Sequence, residues 1–111
     1  MKEWSLFLIS RLLDREVPIA AGTDTPIGFG IPGYSLHTEL ELLVAGGMSP
    51  RQALHAATIA PTRFFDNSNE MGQIQAGMVA DLVLLKETPL ENISNTRKIA
   101  AVMSRGVWAR R

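Results

Sequence analysis

The stretch "VPIAAGTDTP", Val17 to Pro26, constrains the fold more than any other. A run with apolar side chains at successive positions has no polar face to turn to water, so it reads as a strand buried on both sides, the condition of strands in parallel sheets. Just before it, Trp4, Phe7, Leu8, Ile9, Leu12 and Leu13 recur at helical spacing from Glu3 to about Glu16, and Pro18 ends that pattern. A helix leading into a doubly buried strand is half of an α/β repeat, because parallel strands need long crossovers and helices supply them. The strand closes at Gly22, and Asp24 follows just past its C-terminal end. In parallel α/β architectures the loops converge at that end and sites are built there. A lone Asp after a strand serves equally well as a turn or cap residue bonding nearby backbone N–H groups, so spacing alone leaves both roles open.

The rest of the chain changes character part-way. "TPIGFGIPGY" holds three glycines and two prolines and is a loop. "SLHTELELLVAGG" sets Leu36, Leu40, Leu43 and Val44 on one helical face, with Gly46-Gly47 as its stop. "MSPRQALHAATIAP" predicts a second helix with Ser49 as N-cap, Pro50 at the first helical position and Gln52 closing a capping box. Its alanine-rich side (Ala53, Ala56, Ala57, Ala60) predicts close helix packing, Pro61 bounds it, and "TRFF" adds a further turn at most. After the polar "DNSNE", "GQIQAG" and "ADLVLL" read as strands joined at Gly77, and "KIAAVMS" and "VWARR" as a hairpin around Arg105-Gly106.

Charge and composition remove several function classes. Formal net charge is zero over 111 residues with no basic patch, which argues against nucleic acid or an anionic membrane surface as partner. "WSLFLIS" is far too short to span a bilayer, and no small-residue cleavage site follows it. The absence of cysteine excludes disulfides, thiolate metal sites and a cysteine nucleophile, and fits a reducing, cytoplasmic setting.

Three pieces in order, "GTDTP", then "LHTELELLVAGGMSPRQALHAATIAPTRFF", then "MGQIQAGMVADLVLLKETPLENI", resemble the C-terminal end of the metal-dependent amidohydrolases, in their imidazolonepropionase-like and Xaa-Pro dipeptidase-like branch. The resemblance implies an α/β fold: residues 1–66 as the terminal segment of a (β/α)₈ barrel (helix, last strand, helices), and residues 67–111 as strands of the small β-sandwich that packs on it. It also implies one or two divalent metals, usually zinc, at the C-terminal face of the whole barrel. There Asp24 matches the ligand after the last strand, which also acts as general base toward water attacking a C–N bond. A metal lowers the pKa of bound water toward about 7, and an adjacent carboxylate is then a competent proton acceptor.

The departures from the family pattern matter as much. Such a barrel takes roughly 250 residues. The family's His-x-His is absent, and both histidines, His37 and His55, follow Asp24 in helical context. His37 opens a helix on the site side of the loop and is a candidate substrate-side residue, or else an exposed first-turn residue; His55 reads as packing or surface. Glu39 and Glu41, two apart on a helix, point different ways and read as a solvated face. Asp81 reads as serving the Gly77 turn, and Trp108 as buried in a core or interface. With one carboxylate against the three or so ligands of a catalytic zinc, the expectation is a C-terminal amidohydrolase piece that is inactive and without cofactor as an isolated chain. A stand-alone interaction module or one half of a split enzyme is the alternative. The expected partner is a second copy, in a dimer, or a complementary N-terminal barrel chain.

Overall fold

The computed structural model describes residues 2–28 and 30–109. Helix α1 spans Lys2–Asp14, α2 Ser35–Ala45 and α3 Pro50–Phe64. They are followed by strand β1 (Leu82–Leu85), a 3₁₀ turn (Ile93–Arg97), β2 (Ile99–Ser104) and β3 (Val107–Trp108). The capping box forms as the sequence predicts: Gln52 N–H donates to Ser49 Oγ at 3.2 Å, and Ser49 N–H donates to Gln52 Oε1 at 2.8 Å. Pro61 does not bound α3. The helix runs through it to Phe64, and Phe65 N–H returns to the Pro61 carbonyl at 3.0 Å.

The core lies between α2, α3 and the 3₁₀ turn. Leu40 and Leu43 from α2, Met48 from the connection, Ala53 and Ala56 from α3 and Ile93 are its buried apolar residues, and Ile9 and Leu13 of α1 pack against them. The alanine side of α3 allows the close approach that its composition predicts. Gly46, at the end of α2, sits so near α1 that a Cβ there would lie 2.7 Å from Ile9 Cγ2.

Residues 17–24 correct the expectation of a strand. The segment is extended, and Ile19 and Ala21 pack against the core. Among the described residues, however, no strand lies beside it, and Ala21 N–H goes to the Ala56 carbonyl of α3 at 2.8 Å. Doubly apolar sequence makes a strand only where neighbours complete the ladder. "GQIQAG" is likewise a series of turns rather than a strand.

The sheet that does form is antiparallel, in the order β1-β2-β3. Its hairpin turns at Arg105-Gly106, with Arg105 at φ 47° and Gly106 at φ 79°. Arg110 and Arg111, the end of the expected second hairpin strand, lie outside the described residues. Asp81 serves this hairpin and not the Gly77 turn: its Oδ1 accepts the Arg105 N–H at 2.7 Å. Trp108 is 54% exposed, so its predicted burial in a core is not met within this chain. No helix of the described residues is long and apolar enough to cross a membrane.

Candidate functional site

Asp24 stands at the tip of the extended segment. Its backbone is left-handed (φ 52°), a conformation that Asp tolerates better than most residues. The turn closes from Ile27 N–H to the Asp24 carbonyl at 2.9 Å, across a cis Thr25–Pro26 peptide. The carboxylate itself makes no hydrogen bond or ion pair among the described residues, and the residue is exposed. The segment is fixed one turn earlier: Gly22 N–H donates to Glu39 Oε1 of α2 at 2.6 Å. Glu39 is therefore an anchor for the strand end rather than part of a solvated face. The returning loop is tied at the start of the same helix, where Ile31 N–H donates to Ser35 Oγ at 2.7 Å.

Glu41 departs from the solvated reading too. Arg97, on the 3₁₀ turn, donates from Nε to Oε1 at 2.9 Å and from Nη2 to Oε2 at 3.1 Å. It also reaches Thr38 Oγ1 at 3.0 Å and lies over the Tyr34 ring at 4.7 Å from its centroid. The paired Arg97 hydrogen bonds hold the Glu41 carboxyl below the usual glutamate range, outweighing the opposing effect of burial. This fork joins α2 to the β-rich part of the chain. Nothing in local spacing signalled it, because the partner lies 56 residues away.

His37 is half-buried and tied to the same 3₁₀ turn, with Nδ1 3.0 Å from Thr96 Oγ1. The Thr96 hydroxyl proton is already given to the Ile93 carbonyl at 2.9 Å, so the imidazole donates from Nδ1 and Nε2 is the ring's acceptor when neutral. His37 lines the groove between α2, α3 and β1. His55 is exposed on α3, beside Arg51 and Gln52. No hydrogen bond joins Asp24 to either histidine among the described residues, and nowhere among them do three or more His, Asp or Glu residues gather as a metal ion requires. The residues present thus supply one candidate metal ligand and do not fit a complete metal centre.

The family profile described as "Amidohydrolase family" matches residues 6–109. This chain belongs to the amidohydrolase family. Ochratoxinase from Aspergillus niger is 40% identical over 94 residues, which cover 83% of this chain and 18% of that protein. Imidazolonepropionase from Christiangramia forsetii is 32% identical over 80 residues, 71% of this chain and 19% of that protein. The crystal structure of a Xaa-Pro dipeptidase with methionine bound in its active site superposes with a TM-score of 0.86 at 25% identity, over 96% of this chain and 25% of that one. The amidohydrolase chain described here therefore spans about a fifth of the length of the curated relatives it matches.

Proposed function

We propose that this chain is the C-terminal part of an amidohydrolase that cleaves C–N bonds of the amide, cyclic amide or peptide kind, and that it has no turnover by itself. One observation carries the reading. Asp24, which matches the family's ligand after the last barrel strand, stands exposed on a turn whose stem is anchored by Glu39. The relatives are named for ochratoxin, imidazolonepropionate and Xaa-Pro dipeptides, so the substrate is kept to that bond class. In a complete enzyme Asp24 would be one of the residues holding a divalent metal, zinc in the family's usual case, with the other ligands supplied from outside the described residues, and its carboxylate would be placed to take a proton from the water attacking the C–N bond.

The test is calorimetric titration of the chain with zinc, alongside an amide-hydrolysis assay. Neither binding tighter than about micromolar nor turnover is expected, because one carboxylate falls short of the three protein ligands of a catalytic zinc. Stoichiometric sub-micromolar binding that disappears in Asp24→Asn, or any Asp24-dependent turnover, would overturn the reading. A second reading, an interaction or assembly module, is favoured by the chain's large exposed apolar residues, among them Trp4, Ile74 and Trp108.

A further inference from the structure

The end of a strand in a sheet is fixed by backbone hydrogen bonds to its neighbours. Segment 17–24 has no strand beside it among the described residues, and its last backbone tie to another element is Ala21 N–H to the Ala56 carbonyl. Beyond Ala21, both limbs of the Asp24 turn are tied to α2 by side chains. On the incoming limb Gly22 N–H donates to Glu39 Oε1 at 2.6 Å. On the returning limb Ile31 N–H donates to Ser35 Oγ at 2.7 Å, and Ser35 N–H donates back to the Ile31 carbonyl at 2.9 Å. Between these two points the hydrogen bonds among the described residues are internal to the turn. Ile27 N–H goes to the Asp24 carbonyl, Gly30 N–H to the Ile27 carbonyl, and the Thr23 hydroxyl to that of Thr25.

Ser35 and Glu39 stand at i and i+4 of α2, so they share one face of the helix and lie about 6 Å apart along its axis. The helix under them is a fixed base. Leu40 and Leu43 are buried in the core, and Arg97 grips Glu41 and Thr38 on the same turns. The Glu39 carboxylate is a charged acceptor, and a hydrogen bond to an ionised group is stronger than a neutral one. One rigid element therefore holds both ends of the turn, and the spacing of its two side chains sets the distance between the limbs.

We propose that Glu39 and Ser35 are positioning residues that keep the Asp24 turn ready-formed, doing for it what neighbouring strands do for a strand end inside a sheet. The inference rests on the reading of Asp24 as a metal ligand and proton acceptor. A group with such a task has to be held within about 0.5 Å of its working place by supporting hydrogen bonds from a rigid element. Glu39 acts on Asp24 through the Gly22 N–H, and Ser35 closes the other end of the turn through Ile31.

The test is the backbone order parameter from nitrogen relaxation of the isotope-labelled chain, read at Asp24 and, as an internal reference, at Ala53 in the buried core of α3. In wild type both should lie near the rigid value of about 0.85. Glu39→Ala should bring Asp24 below about 0.6 while Ala53 stays rigid, and Glu39→Gln, which keeps an acceptor oxygen, should restore Asp24. Ser35→Ala should loosen Ile31 more than Asp24. A second measurement needs no variant. In wild type the Gly22 and Ile31 amides should be protected from hydrogen exchange at least about tenfold more than Thr23, whose N–H has no acceptor among the described residues. The proposal is overturned by an Asp24 already mobile in wild type, by one that stays rigid in Glu39→Ala, by an Ile31 unmoved in Ser35→Ala, or by a Gly22 amide that exchanges as fast as Thr23. Zinc binding or turnover by the isolated chain would overturn the hydrolase reading instead, and neither is read in these measurements, so the two fail separately.

Discussion

Replacing Gly46 with alanine is a direct probe of how α1 is held. Gly46 is the C-cap of α2 with ordinary right-handed backbone (φ −81°, ψ −1°), so an L-residue fits its backbone without strain. The obstacle is Ile9. A Cβ at position 46 would lie 2.7 Å from Ile9 Cγ2, 2.9 Å from its Cβ and 3.2 Å from its Cδ1. Carbon atoms prefer about 3.5–4.0 Å, so Ile9 has to retreat by nearly an ångström. A β-branched side chain in a helix has essentially one χ1 rotamer, and the whole of α1 therefore shifts. Overpacking of this kind costs about 1–3 kcal/mol, against a gain of at most about 1 kcal/mol for replacing glycine in helical backbone. The net expectation is a loss of about 1–2 kcal/mol, a large share of the roughly 5–15 kcal/mol available to a small domain. Urea unfolding followed by far-ultraviolet circular dichroism measures it, at one fixed protein concentration for all variants. Ile9→Ala removes the two outer contacts, so the double variant should be more stable than additivity predicts by about 1 kcal/mol. A Gly46→Ala chain as stable as wild type, or a strictly additive cycle, would refute the account of α1 packing.

Other outcomes follow from single contacts. Ser49→Ala removes the oxygen that accepts the Gln52 N–H and should lower the unfolding free energy by about 1 kcal/mol, while Ser49→Asp should restore most of it; equal midpoints for all three chains would show the cap is idle. Gly72 and Gly77 share positive φ (93° and 90°), but only at Gly72 would a Cβ meet backbone, 2.9 Å from the Thr58 carbonyl oxygen, so Gly72→Ala should unfold at clearly lower urea than Gly77→Ala. Glu41 titrates below its ordinary value because of Arg97. Its contribution is therefore complete above the unfolded-state value, declines as pH falls past it, and is lost once pH drops through the depressed folded value. In acid titrations wild type should converge on Glu41→Gln, and a constant gap between the two down to the acid limit would contradict the pairing.

What the sequence made legible was local. The capping box at Ser49, the stop at Gly46-Gly47 and the turn at Arg105-Gly106 are settled within a few residues of themselves, and each stands where its spacing put it. Pro61 shows the limit of local signals: α3, already packed through Ala53 and Ala56, carries the proline inside the helix. Glu39 and Glu41 show a second limit. Two carboxylates two residues apart on a helix look the same whether they meet water or a partner. Here one meets a backbone N–H 17 residues earlier and the other a guanidinium 56 residues later.

The extended segment 17–24 carries the argument furthest, because its sequence and its surroundings disagree. Its apolar residues ask for partners on both sides, yet it is held by one α3 carbonyl at Ala21 and one α2 carboxylate at Gly22. Asp24 inherits that geometry: Glu39 fixes the stem, the left-handed turn directs the tip, and no group of three or more His, Asp or Glu residues gathers there among the described residues. The Xaa-Pro dipeptidase on which this chain superposes has a larger fold, of which the chain matches one quarter. Chemistry at Asp24 is thus separable from the anchor that holds it: Asp24→Asn leaves the hydrogen bond from Gly22 N–H to Glu39 in place.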